Sequence, residues 1–176
     1  MDAPDIRTEE LFDVVDQNDC VLEQLPRSQV HQRRLPHRAV HIFLFHSDGR
    51  ILVHKRTAQK EEFPGVWTSS ASGHVTAGEL YDETAPRELA EELGVSAPLT
   101  RLHKFTACPE TSFEFTVLYR ALSDDEIQAD ASEIAEYCWM QPHQVAAWME
   151  VAPGDFSPAF RLLFEWFLAA AEAKVN

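Results

Sequence analysis

The chain has 176 residues, 45% of them hydrophobic, with 29 acidic against 15 basic side chains and a formal net charge of −14 at pH 7. That length and apolar content suffice for one sizeable core, while so acidic a field opposes non-specific binding to nucleic acid or to anionic membranes. The three cysteines, Cys20, Cys108 and Cys138, contain no CxxC pair and are odd in number, which argues against a disulfide framework and for a reducing cytoplasm.

The opening "MDAPDIRTEE" has neither the basic nor the apolar region of a signal peptide. No uncharged apolar run approaches the ~20 residues of a membrane span, so a soluble cytoplasmic protein is expected. Residues 1–34 read as an extension packed on a domain of residues 35–176. In the extension, "LFDVVDQNDCVLEQLPRS" forms two short strands around the turn residues Gln17-Asn18-Asp19. "RAVHIFLFHSDGRILVHKR" is a second hairpin, turning at Ser47-Asp48-Gly49.

From Asp82 to Leu93 the period becomes helical, with Ala85, Leu89 and Leu93 on one side and glutamates on another. Pro86 lies inside that pattern and would delay or kink the helix. "RLHKFTAC", "SFEFTVLYRAL" and "AEYCWM" follow as strands. "QPHQVAAWM" offers a short helix and "SPAFRLLFEWFLAAAEAK" a long one, with Ser157 as N-cap and Pro158 at the first helical position. The Phe/Leu/Trp stripe of that last helix would face either the core or a second copy in a homodimer. Strands mixed with a few helices imply an α/β fold layered on one sheet.

The stretch "RELAEELGV", Arg87 to Val95, sets Glu88, Glu91 and Glu92 at helical neighbour spacing. Like charges so placed disfavour a solvated helix by only about 0.2–0.5 kcal/mol per pair, so a plain solubility surface is compatible with them. A divalent cation would reverse that repulsion. Hydrolysis of a phosphoanhydride needs such a cation to neutralise phosphate oxygens and acidify the attacking water, and hard cations are held by a few carboxylates, phosphates and waters.

The wider segment "GHVTAGELYDETAPRELAEELGV", Gly73 to Val95, reads G, five residues, E, seven residues, R-E-aliphatic, one residue, E-E, one residue, G-aliphatic. A random window meets these nine constraints on the order of once in a billion at average residue usage, so chance is set aside. This pattern resembles the signature of the Nudix hydrolase family at every defined position. The resemblance implies an α/β/α sandwich around a mixed β-sheet, here with an N-terminal β-hairpin extension. It also implies Mg2+ or Mn2+ held by Glu88, Glu91 and Glu92, with the backbone carbonyl of Gly73 as a further ligand. Arg87 would fix the glutamate rotamers, and one glutamate or another acid would orient or deprotonate water. Glu79 fits both a metal role and a capping box in "TAGE", Thr76 to Glu79.

"HRAVHIFLF", "KRTAQKEEFPGVWTSSASGH", "SEIAEYCWM" and "FSP" resemble more narrowly the branch that holds type 1 isopentenyl diphosphate isomerase and its hydrolase-like relatives. On that likeness Arg56 and Lys60 match diphosphate contacts, and His37 and His74 match metal-binding histidines, with His31 near a third. Ser72 stands where the isomerase has a cysteine. Ser112-Phe113-Glu114 keeps only the second acid of a Glu-x-Glu strand, leaving Glu114 as an extra ligand or a salt-bridged strand residue. Phe63 and Trp67, flanking "PGV", would pack on a base or prenyl group or else in the core. Glu133 and Glu136 read as a solvated edge.

A serine hydroxyl is a far weaker acid than a thiol of pKa about 8.5, so Ser72 with an intact signature favours hydrolysis. The expected protein is a metal-dependent hydrolase of a small diphosphate, either a nucleoside diphosphate derivative or a related organic pyrophosphate. The alternatives are an isomerase of C5 diphosphates and a ligand-sensing module without catalysis. Which diphosphate, which metal, which base and which oligomer stay open at this point.

Overall fold

The computed structural model describes residues 9–173. The expectations for residues 1–8 and for Lys174, at the end of the last helix, lie outside the described residues. The chain runs β1 (Leu11–Val15), β2 (Val21–Pro26), α1 (Arg27–Arg33), β3 (His37–Phe45), β4 (Ile51–Arg56), β5 (Trp67–Thr68) and β6 (Ala71–His74). It continues through α2 (Tyr81–Leu93), β7 (Leu99–Phe105), β8 (Glu114–Leu122), β9 (Ile134–Met140), α3 (Pro142–Val151) and α4 (Pro158–Ala173).

Alternation along the central strand sets the layers. Val40, Ile42 and Leu44 of β3 pack with Ala85, Leu89 and Leu93 of α2. Phe43 and Phe45, one residue out of phase, pack with Val145 and Met149 of α3 and Phe160, Leu163 and Phe164 of α4. The period of two in a strand turns successive side chains to opposite faces, so one apolar run supports helices on both sides. The result is the expected α/β/α sandwich.

β3 pairs with β8 in parallel from His37↔Glu114 to Phe45↔Leu122, and with β6 antiparallel from Ala39↔His74 to Ile42↔Ala71. β4 meets β3 at Phe45↔Ile51 and carries β9 and β5, while β7 closes the other end against β8. The sheet is therefore mixed. Two of its strands, β5 and β6, are too short to have shown a period in sequence.

The apolar stripe of α4 faces this sheet, with Phe160 and Phe164 edge-on to Phe43 at 5.7 and 5.9 Å between ring centres. Ser157 does cap the helix, since its Oγ accepts the Phe160 N–H at 3.3 Å. Among the described residues no helix is long and apolar enough to cross a membrane.

The helix α2 starts one residue earlier than expected and continues through Pro86 to Gly94, which ends it at φ 67°. Its cap also differs from expectation. Glu83 accepts the Leu80 N–H at 3.0 Å, whereas Glu79 accepts the Thr76 N–H at 3.3 Å in the preceding turn. "TAGE" ends before the helix begins, so Glu79 is free to face Arg87.

The N-terminal hairpin forms as expected, with Asp19 at φ 62° in its turn. The helix α1 that follows was not anticipated, because seven residues span only two turns and leave no long period. Extension and domain are stitched by Val15 N–H to Pro36 O at 2.9 Å and Ala77 N–H to Leu11 O at 2.8 Å. The buried Asp19 carboxylate accepts Arg38 Nε at 2.6 Å and Tyr81 OH at 3.0 Å, and Lys104 pairs with it as well. Burial alone would raise the Asp19 pKa, but Lys104, Arg38 and Tyr81 together hold it below the ordinary value.

Candidate active site

Two helical turns of α2 stand over the end of β6. Glu88 and Glu92 point inward and Glu91 points outward, with side-chain exposures of 13% and 60% for Glu88 and Glu91 and 6% residue exposure for Glu92. Arg87 links the set. Its Nη1 donates to Glu88 at 2.8 Å and Glu91 at 3.1 Å, while Nε and Nη2 grip Glu79 at 2.9 and 3.0 Å. That bidentate pair holds the Glu79 carboxyl below its ordinary pKa, and it makes Glu79 the anchor of the arginine that orders the other acids.

Gly73 meets Glu88 at close range. A Cβ built on Gly73 would lie 2.1 Å from the Glu88 carboxyl carbon, so the carboxylate occupies the space any other residue would need. Beside it, the Ser72 N–H donates to Glu92 Oε2 at 3.2 Å. Burial pushes the pKa of Glu88 up to about 7, with Arg87 opposing the rise. Burial and the neighbouring Glu88 push Glu92 up to about 8. Two buried carboxylates that resist ionisation side by side are suited to a multivalent cation. With the Gly73 backbone next to them, the residues present fit Mg2+ or Mn2+.

A stability signature follows. In the metal-free protein Glu88 and Glu92 bind protons more tightly when folded than at the ordinary 4.5 of an unfolded chain. The folded state then holds more protons between pH 4.5 and about 8, so its stability is greatest at the acid end and falls as pH rises through about 7 and 8. Melting curves are expected to show Tm dropping across that window, with Mn2+ or Mg2+ restoring it most at the alkaline end. A Tm unmoved by metal at every pH would contradict the assignment.

A second cluster lies beside the first. The ligand nitrogens of His31, His37 and His74 all lie within 4.8 Å of one another, and none of the three Nε2 atoms, all buried, has a hydrogen-bond partner among the described residues. The His37 Nδ1 donates to Leu35 O at 2.9 Å, which leaves its Nε2 lone pair free. Glu114 Oε1 is 3.0 Å from His74 Nε2 and 3.7 Å from His37 Nε2, the nearer contact lying outside hydrogen-bonding angles. Burial and the two neighbouring rings bring His31 down to about 4. Three orphaned imidazole nitrogens and one carboxylate form a donor set suited to a transition metal. Phe12 seals it, stacked on His74 at 4.6 Å and His37 at 5.5 Å.

The acidic cluster, and the histidine cluster through His74 and Glu114 alone, border one cleft of about 260 Å³. Arg56, Lys60 and Phe63 line it together with Ser72, Gly73, His74, Glu88, Glu91, Glu92 and Glu114. Arg56 donates Nε to Glu62 O at 3.1 Å, Lys60 pairs with Glu133, and Phe63 sits at the mouth in a left-handed conformation, φ 47°. Trp67 is placed elsewhere. Thr68 faces the cleft, so the period of two turns Trp67 to the opposite side, edge-on to Trp148 at 5.2 Å. Glu133 differs from the expected solvated edge by lying on the cleft wall, whereas Glu136 pairs with Lys55 at the surface.

Among the lining residues that the sequence did not single out, two come from the N-terminal extension. Glu10 and Arg27 reach the cleft from the extension, and Arg27 lies between Glu10 and Glu61 at 3.8 and 3.7 Å. The signal available was spacing, because Arg27 and His31 are one helical turn apart and share a face of α1.

The NUDIX domain family matches residues 35–161. An uncharacterized Nudix hydrolase of Yersinia pestis is 36% identical over 139 residues, covering 78% of this chain and 76% of its own length. An isopentenyl-diphosphate Delta-isomerase of Serratia proteamaculans is 35% identical over 142 residues, 78% of this chain and 79% of its own. Among solved structures, that of a Deinococcus radiodurans protein superposes with a TM-score of 0.74 at 29% identity, spanning 84% of this chain and 92% of the other.

Proposed function

This chain belongs to the Nudix family, and from that premise we propose that it is a divalent-metal-dependent hydrolase of a small diphosphate. The bond split is the phosphoanhydride of a nucleoside diphosphate derivative or related organic pyrophosphate, by attack of water on phosphorus in the cytoplasm. The observation that carries this reading is the seat of Glu88 against a glycine that leaves no room for a side chain, with Glu92 buried beside it.

Glu88, Glu91, Glu92 and the Gly73 carbonyl would hold Mg2+ or Mn2+. When bound, the ion supplies neutralisation of phosphate oxygens and a lowered pKa for water. Arg87, anchored by Glu79, keeps the acids in register. Arg56 offers a planar fork to phosphate oxygens and Lys60 a mobile point charge, which trades Glu133 for the substrate. Phe63 at the mouth presents a ring to whatever group the diphosphate carries.

A second reading has its own support. On the sequence likeness His37 and His74 correspond to metal-binding histidines of the isomerase-like branch, with His31 near a third, Glu114 as the one strand acid kept and Ser72 in place of a cysteine, and some relatives bear the isomerase name. A third, a sensing module without turnover, fits poorly with a complete acid set.

One experiment separates the three. Wild-type protein with Mg2+ or Mn2+ is screened against nucleotide sugars, dinucleotides, plain nucleotides and prenyl diphosphates, and isopentenyl and dimethylallyl diphosphates are assayed for interconversion in parallel. Metal-dependent release of a phosphorylated product from at least one compound is expected, with no interconversion. Interconversion, strengthened in Ser72→Cys, would establish the isomerase instead. Tight binding without turnover of any diphosphate would establish the sensor.

A further inference from the structure

The strand β3 carries a histidine that the proposed chemistry leaves unused. His41 is only 6% exposed, yet it lines the cleft with Arg56 and Ser72. It lies directly opposite Ser72 in the β3–β6 pairing, so the two side chains share one face of the sheet.

The tautomer of its ring can be derived. His41 Nδ1 is 2.7 Å from Ser69 Oγ, and Ser69 is fully buried with no other side-chain hydrogen bond among the described residues. A buried hydroxyl proton needs an acceptor, so Ser69 donates to Nδ1. A neutral imidazole with Nδ1 accepting carries its proton on Nε2. Burial, with Arg56 and His74 acting in the same direction and Glu114 against it, brings the His41 pKa down to about 4 and keeps the ring neutral. His37 is the opposite case, since its Nδ1 faces a carbonyl and its Nε2 is left bare. Unlike the sealed Nε2 atoms of His31, His37 and His74, that of His41 is not among the orphaned buried atoms.

We infer that His41 is a substrate-recognition residue, a neutral Nε2–H donor that hydrogen-bonds a diphosphate oxygen beside Arg56. The inference rests on the hydrolase reading above and deepens it. A protonated nitrogen does not ligate a cation, so His41 stands apart from both metal-suited clusters. It can only donate, and the acceptor-only group that a diphosphate brings into the cleft is its phosphate oxygen, where a charged acceptor strengthens the bond. A neutral donor also adds grip at a depth where a further buried cation would have to be desolvated beside Arg56.

The test uses methylenediphosphonate, which is not hydrolysed, titrated calorimetrically into the full chain with Mg2+. His41→Leu is expected to weaken binding about tenfold or more, the scale for a hydrogen bond to a charged group. His41→Gln, whose amide N–H reaches to a similar position, is expected to stay within about threefold of wild type. In wild-type protein with 15N-labelled histidine, the His41 signals should show the proton on Nε2, and Nε2 should shift when methylenediphosphonate is added. Binding unchanged in His41→Leu, or a proton found on Nδ1, would overturn the inference while leaving the hydrolase reading intact. Failure of the wild type itself to bind methylenediphosphonate would also overturn the inference, whereas the hydrolase reading falls only if the diphosphate screen shows no turnover.

Discussion

Glu92→Gln is expected to slow diphosphate hydrolysis by about 10²–10³-fold, while the metal-free protein melts at least as high as wild type. Losing one carboxylate from the proposed cation site would remove a few kcal/mol of charge stabilisation in the transition state, and each 1.36 kcal/mol is tenfold in rate. Stability moves the other way because Glu92 is buried, and ionising it there is unfavourable enough to raise its pKa to about 8. Glutamine has the same shape, and its carbonyl still accepts the Ser72 N–H now bonded at 3.2 Å. Activity with Mg2+ and Tm without it, measured on one preparation, separate the two effects. The fall of Tm with pH described above should also flatten in this variant. Turnover within a few-fold of wild type would rule out the metal site on α2.

Gly73→Ala is expected to be nearly as damaging for the opposite reason. Neither partner in the contact can retreat. The backbone of Gly73 is held by its pairing with Val40, and Glu88 rides on a helix whose Ala85, Leu89 and Leu93 are fully buried. With only 2.1 Å between the new Cβ and the carboxyl carbon, the Glu88 side chain must leave its rotamer. Displacing a proposed ligand in this way should lower metal affinity about 10–100-fold, the range seen when the support of a ligand is lost, and Tm should fall as well.

The double variant Gly73→Ala/Glu88→Ala discriminates. Removing the carboxylate removes the clash, so its Tm should recover above that of Gly73→Ala alone, a non-additivity proper to residues in contact. Full metal affinity in Gly73→Ala would show that Glu88 works from another position.

The cleft also shows where a linear reading stops. Trp67 and Thr68 are adjacent, and an aromatic beside "PGV" suits a binding wall as well as a core. Strand β5 turns Thr68 to the cleft and Trp67 onto Trp148, an outcome fixed by its register with β4. Glu133 reads with Glu136 as a solvated edge in sequence, but the return of β9 to β4 sets it beside Lys60. Nothing in "HRAVHIFLF" distinguishes His41, and only its partners Ser69 and Ser72 give it a direction.

Within a single helical turn, chain order already decides which side chains are neighbours, because 3.6 residues per turn is a property of the backbone. The grouping of Glu88, Glu91 and Glu92 with Arg87, the apolar face of α2 and the capping of α4 by Ser157 are of this local kind. The family and the layered fold also followed from sequence, through spacing too specific for chance. Tertiary structure alone decided what meets across elements. It carried His31 and Arg27 in on an extension, set Glu114 against His37 through a parallel pairing, and brought Gly73 under Glu88. Those contacts depend on strand register and on burial, which no stretch of sequence contains, since each is settled by how every other element packs.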